Sequence, residues 1–195
     1  MTKQQKKGTT YLDEEALDGI IPKGIETKEE LDAVEFLNVL QGTKWLSKKL
    51  KKVSVLDEVT LKKVHKQMFG DVWTWAGKIR KRNLNLGVDF FNILVELKRL
   101  KDDVAFWVKN RSFNDVDIAI RLHHRLVWVH PFVNGNGRWG RAITDAWLLS
   151  KKQPAFSWGG SNLSIDKKAR REYIGALNQA DKFNFKALLE FATNH

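Results

Sequence analysis

The chain of 195 residues contains no cysteine. That excludes a disulfide framework and a thiolate metal site. Proline occurs only three times, at positions 22, 131 and 154. A chain so poor in proline and rich in Leu, Lys, Glu and Ala favours helices. No apolar run reaches the roughly 18 residues a bilayer-spanning helix needs, so no membrane partner is expected. The opening residues MTKQQKKGTTYLDEE hold no apolar stretch of signal-peptide type, and a cytoplasmic location is the expectation. Neither an internal repeat nor a low-complexity linker is visible.

Acidic residues are in deficit. The net charge is +11, from 34 basic and 23 acidic residues. That balance suits nucleotides, nucleic acid or an acidic protein surface as partners, and it also serves solubility alone. Hydrophobic residues make up 43% and charged residues 29%, the mixture of a globular domain with a real core. Residues 1–11 read as a flexible basic arm and 12–195 as one domain.

Helical periodicity recurs along the chain. Thr27 and Glu30 form a capping box ahead of a helix over 28–50, with Leu31, Val34 and Leu37 expected on its inner face. Leu61, Val64 and Met68 mark a second helix that stops at Gly70. Ile93, Leu97, Leu100, Val104 and Trp107 mark a third. Asn114 caps a fourth, with Val116, Ala119, Ile120, Leu126 and Val127 near one face. GRWGRAITDAWLLSKK, SIDKKARREYIGALNQA and FKALLEFAT read as further helices. One segment departs from this period: GKIRKRNLNLGVDFF, with Gly77 and Gly87 near its ends, alternates in character and predicts a short β-hairpin flap. The fold class is therefore mainly all-α, six to eight helices with one small β element.

The stretch HPFVNGNGRWGR at 130–141 carries the chemistry. Pro131 disfavours helix at His130, which places that histidine at a helix end. Gly135, Asn136 and Gly137 then feed a new helix, and free backbone N–H groups at such a terminus attract anions. Arg138 and Arg141, three residues apart, are expected to lean to one side and grip phosphate oxygens. His130 stands opposite as a proton acceptor. The layout suits transfer of a phosphate-linked group to a hydroxyl. The plainer alternative is a tight turn with a buried histidine and two solvated arginines.

These residues resemble the signature HPFx(D/E)GNGRxxR of the Fic/Doc (Fido) family. His130, Pro131, Phe132, Gly135, Asn136, Gly137, Arg138 and Arg141 all agree with it. FGDVWTWAGKIRK at 69–81 looks like the family segment leading into a substrate-binding flap, and IAIRLHHRLVWVHPF like the helix carrying the motif. WGGSNL and RREYIGALNQAD resemble the subgroup called mobile mystery protein B, found on mobile genetic elements. The likeness runs from about Leu12 to the end.

The resemblance implies a helical bundle that transfers AMP from ATP to a Ser, Thr or Tyr hydroxyl of a target protein. His130 would be the base, and Gly135, Asn136 and Gly137 the anion hole. Arg138 would hold the outer phosphates and Arg141 the γ-phosphate. Phe132 would anchor the loop in the core. Arg82, Asn83, Leu84, Asn85, Leu86, Gly87 and Val88 would pair with an extended target segment. Tyr173 and Leu177 would line an adenine pocket, although Tyr173 also reads as a core aromatic. Asn134 stands where the family usually has an acid that holds Mg²⁺, so metal binding is expected to be weakened. The inhibitory pattern (S/T)xxxE(G/N) is matched only in part at Thr10 to Glu14 and Ser54 to Glu58. Glu35 fits better by position and would bond Arg141, against the alternative of a solvated helix glutamate. Other readings are a transferase using another donor, and a toxin-like or regulatory nucleotide-binding module, with an antitoxin-like partner or nucleic acid at its basic surface. His123 and His124 lack further ligands for a metal and read as packed or hydrogen-bonded core histidines. The tryptophans read as core, and KKLKK at 48–52 as a solvated helix end.

Overall fold

The structure, a computed structural model, describes residues 17–49, 55–160, 163 and 166–194. The basic arm, most of the KKLKK run, and Thr10, Glu14 and Ser54 lie outside the described residues. Among the described residues there are seven α-helices: α1 (Lys28–Lys49), α2 (Glu58–Phe69), α3 (Ile93–Lys109), α4 (Asp115–Val129), α5 (Asn136–Ser150), α6 (Lys167–Ala180) and α7 (Lys186–Thr193). None of them is long and apolar enough to cross a membrane.

The helix starts follow local chemistry. The Thr27 hydroxyl accepts the Glu30 N–H at 3.2 Å, and Glu30 Oε2 accepts the Thr27 N–H at 3.0 Å, the reciprocal pair of a capping box. Asn114 caps α4 by accepting the Asp117 N–H at 2.8 Å. Asp166 caps α6 through the N–H groups of Lys168 and Ala169.

The central pair is α4 and α5, joined by the 130–135 loop. Leu122, Leu126, Phe132, Trp139 and Ile143 are buried there with Phe69 and Met68 of α2. Truncating one such aromatic to alanine costs about 3–5 kcal/mol. A second cluster joins Ile120 of α4 to Trp158, Tyr173, Leu188 and Phe191 under α6 and α7. Trp73, Trp139, Trp147 and Trp158 are core residues, whereas Trp128 is 40% exposed and lies under the Arg125 guanidinium.

Two expectations about local structure do not hold. Leu37 is 60% exposed, and Glu35 and Asn38 are buried instead. α1 thus turns polar groups inward. The reason is that both find partners: Asn38 bonds the Gln67 carbonyl and Asp71, and Glu35 bonds groups of the site described below. The hairpin is also absent. Residues 82–88 form no strand, although Arg82, Leu84, Leu86 and Val88 are half-buried and Asn83, Asn85 and Gly87 exposed. The period of two survives without a ladder because a side chain, Arg80, holds the segment's ends. The isolated bridge Ile20–Trp73 supplies the β character among the described residues.

α1 crosses α2 at Gly42, where a Cβ would stand 2.6 Å from Met68 Cα. Gly42→Ala should therefore push the helices apart and lower stability by about 1–3 kcal/mol in urea unfolding. Gly175→Ala is the control, since a Cβ there meets nothing within 4 Å. It should leave stability unchanged or raise it by ~0.4–1 kcal/mol.

Candidate active site

His130 ends α4 in the left-handed conformation, φ 52° and ψ 60°. A non-glycine residue holds this geometry only when its surroundings impose it. Here Arg80 does so: its Nε donates to the His130 carbonyl at 2.8 Å. The same guanidinium donates to the carbonyls of Arg82, at 2.9 Å, and Val88. The backbone adds Arg80 N–H to the Pro131 carbonyl at 3.0 Å and Val88 N–H to the Val129 carbonyl at 3.4 Å. Flap and histidine are thereby one unit. Gly87 lies so near that a Cβ would come within 2.5 Å of His130 Cβ.

The imidazole of His130 is 6% exposed with its residue. Nδ1 donates to the Val127 carbonyl at 3.1 Å, since a carbonyl can only accept. In the neutral ring this leaves the unprotonated lone pair on Nε2. Burial, with Arg80 adding to it, pushes the pKa down to about 4, so the ring is a neutral proton acceptor at pH 7.

The loop that follows is shaped by its own amides. Asn136 is buried; its Oδ1 accepts the Phe132 N–H at 3.0 Å and its Nδ2 donates to the Phe132 carbonyl at 2.9 Å. Its side chain is therefore a loop clasp, not a ligand. Gly135 precedes α5 at φ 78°, and a Cβ there would strike the Phe69 ring at 2.6 Å. The N–H groups of Asn136, Gly137 and Arg138 have no intrahelical acceptor, since the helix bonds begin with Trp139 N–H to the Gly135 carbonyl at 2.9 Å. Asn134 Oδ1 turns back to accept the Gly135 N–H at 2.6 Å. Among the described residues no group of three or more His, Asp or Glu side chains is placed to hold a metal ion.

The two arginines diverge. Arg138 lies over the Phe69 ring at 4.8 Å and donates to Glu35 Oε2 at 2.7 Å. Glu35 Oε1 accepts the Trp73 indole N–H at 2.6 Å. Glu35 is 7% exposed, so it is not a solvated helix residue. Its partner is Arg138 and not the Arg141 expected from the sequence. Arg141 lies one turn further along α5 and faces α6, with its guanidinium 5.7 Å from the Tyr173 ring centre. Tyr173 is buried, and its hydroxyl bonds His123 Nε2 at 2.8 Å. Burial pushes that hydroxyl up to about 12. Tyr173 is therefore a shelf for Arg141, with little surface left for an adenine ring; Leu177 is half-buried in the second cluster.

Two positioning groups escaped sequence reading. Arg80 sits in a basic run where it looks solvated, and it is 3% exposed. His65 sits in a helical pattern among lysines, and it is fully buried. Their signal is only contextual: a basic group beside a tight glycine turn. His124, expected to be a packed or hydrogen-bonded core histidine, is buried and bonds Asp181 at 2.8 Å.

A family model described as Fic/DOC family matches residues 55–148. The chain is 27% identical over 169 residues to protein adenylyltransferase fic-1 of Caenorhabditis briggsae, covering 84% of this chain and 30% of that protein. It is 26% identical over 141 residues to protein adenylyltransferase Fic of Drosophila grimshawi, covering 69% and 28%. The chain thus spans less than a third of these curated relatives. A fragment of Fic-1 from Caenorhabditis elegans shares the fold with a TM-score of 0.62 at 20% identity, over 89% of this chain and 50% of that one. BepC from Bartonella tribocorum, solved with bound AMPPNP, does so with a TM-score of 0.63 at 18% identity, over 95% and 92%.

Burial holds His65 and His123 down to about 3 and His130 to about 4, from an ordinary 6.5. Each is protonated in the unfolded chain before it is protonated in the folded one. Their stabilisation is complete above the unfolded value and is lost as pH falls toward the folded values. Asp145, pushed up to about 6 by burial, acts in the opposite sense and offsets one of them. Urea unfolding should therefore show stability falling by ~2–3 kcal/mol per pH unit between pH 6 and pH 5. His123→Gln should flatten that slope; a flat wild-type profile would contradict neutral buried histidines.

Proposed function

We propose that this chain, whose residues 55–148 match a family model described as Fic/DOC family, is a protein adenylyltransferase. It transfers AMP from ATP to a Ser, Thr or Tyr hydroxyl of a cytoplasmic target protein. The observation that carries this is His130: a neutral imidazole with its lone pair on Nε2, set beside a helix N-terminus with three unbonded N–H groups. The adenylyltransferase names of the curated relatives support the same reaction. WGGSNL and RREYIGALNQAD support the mobile mystery protein B subgroup.

In this reading His130 Nε2 takes the proton of the target hydroxyl. The hydroxyl oxygen forms a bond to the α-phosphorus of ATP, and the α–β phosphoanhydride bond breaks to release pyrophosphate. The N–H groups of Asn136, Gly137 and Arg138 face the charge that grows on the α-phosphoryl oxygens. Arg138 takes the outer phosphates, and Arg141, held on Tyr173, reaches toward the γ-phosphate. The 82–88 segment would meet an extended stretch of target, with recognition through backbone and tolerant of sequence. Asn134 would be the protein's contact to a nucleotide-borne Mg²⁺.

Glu35 supports an autoinhibited resting state. Its carboxylate occupies Arg138, the group assigned to the outer phosphates. Trp73 fixes the other oxygen, so the glutamate cannot swing aside alone.

Incubation with α-³²P-ATP and Mg²⁺, with a lysate as target source, tests the reading. Label should appear in wild type, rise in Glu35→Gly by about tenfold or more, and drop at least ~100-fold in His130→Ala, the scale of a lost general base. His130→Ala should still bind ATP by calorimetry. Label that survives in His130→Ala, or no ATP binding in any form, would remove the basis for the assignment.

A further inference from the structure

His65 lies on α2 in the stretch KKVHKQMF, where helical spacing buries it with Leu61, Val64 and Met68. Its ring stacks on Phe132 with centroids 3.7 Å apart and lies 4.7 Å from Phe69. A phenylalanine would satisfy that packing. A histidine adds two polar ends, and both are used. Nδ1 accepts the Gly77 N–H at 3.0 Å. The ring proton must then sit on Nε2, which donates to the Asn134 carbonyl at 3.0 Å. Burial keeps the ring neutral, the form this double role requires.

The two partners belong to different arms of the site. Gly77 makes the turn at φ +75° that leads into Arg80 and the flap, and a Cβ there would press on Lys66 Cβ at 2.8 Å and the Lys62 carbonyl at 2.9 Å. Asn134 precedes Gly135, the residue that starts α5 and its N–H cluster. Gly135 is seated on the same helix through Phe69. One ring on α2 thus bonds both the flap approach and the phosphate loop. Without it, the N–H of Gly77 and the carbonyl of Asn134, both in half-buried residues, lose these partners.

We propose that His65 is a positioning residue that keys the flap approach at Gly77 to the phosphate loop at Asn134, so that target backbone and nucleotide are held in one register. It touches no substrate. The inference rests on the roles of loop and flap given above.

The two ends can be cut separately. Asn places an acceptor where Nδ1 stands and loses the Asn134 bond. Gln places a donor where Nε2 stands and loses the Gly77 bond. Phe keeps the stacking and loses both. The full chain is used in all forms, with thermal unfolding as the check of folding. Amide hydrogen exchange without nucleotide is the first readout. Phe should speed exchange in both 77–88 and 132–138, Asn mainly in 132–138, and Gln mainly in 77–88. Equal profiles for Asn and Gln, or unchanged exchange in a folded Phe variant, would overturn the proposal; should Phe not fold, the Asn and Gln comparison decides. AMP transfer is the second readout. His65→Asn should lower kcat about tenfold with target KM kept, and His65→Gln should raise target KM with kcat kept, since small misplacements near reacting groups cost factors of ~10–100. The reverse split would also overturn it. Should neither wild type nor Glu35→Gly transfer AMP, the functional reading fails while the exchange result still decides the role of His65.

Discussion

A buried guanidinium with peptide carbonyls for partners organises this site. Arg80 reaches the carbonyls of His130, Arg82 and Val88. Desolvation lowers its pKa, against the opposing pull of Asp89, so the cation depends on those dipoles for compensation. In return they are fixed. The His130 carbonyl can be where it is only if the residue adopts its left-handed backbone, a state that costs roughly 1–3 kcal/mol for a non-glycine residue. The flap, which has no strand to lean on, takes its curvature from the same group.

The bundle was legible in the sequence because its helices announce themselves at both ends. Thr27 with Glu30 and Asn114 are caps whose bonds form as their spacing implies. The apolar spacing of α2 and α3 matches what is buried, with Trp107 half-buried at the end of its stripe. The loop from His130 to Arg141 was legible for a different reason: positive φ, a helix start and an anion-attracting terminus all demand particular residue types. Glycine at 135 satisfies two such demands at once, the backbone angle and the contact with Phe69.

What escaped were contacts decided by long-range partners. The inner face of α1 could not be read from hydrophobicity, because Glu35 and Asn38 are buried on the strength of Trp73, Arg138, Gln67 and Asp71. The hairpin reading failed on a subtler point. Alternation in sequence reports alternation in exposure, and that is present at 82–88; a ladder also needs a neighbouring strand. Arg138 and Arg141 sit close in sequence, yet Glu35 draws one and Tyr173 the other. Each miss concerns which neighbour a polar group finds, and spacing along one helix carries no record of that.

The inward-facing polar side of α1 has a thermodynamic corollary. Arg138 can neutralise the Glu35 carboxylate or a phosphate, but both compete for one cation. Under the proposed function, anion binding and seating of α1 are coupled, and coupling free energies are reciprocal. A nucleotide that pulls Arg138 away weakens the hold on α1 by the same factor by which seated α1 weakens the nucleotide. Helix α1, with Phe36, Leu37 and Leu40 already on its outer surface, is in that sense a second ligand tethered to the site.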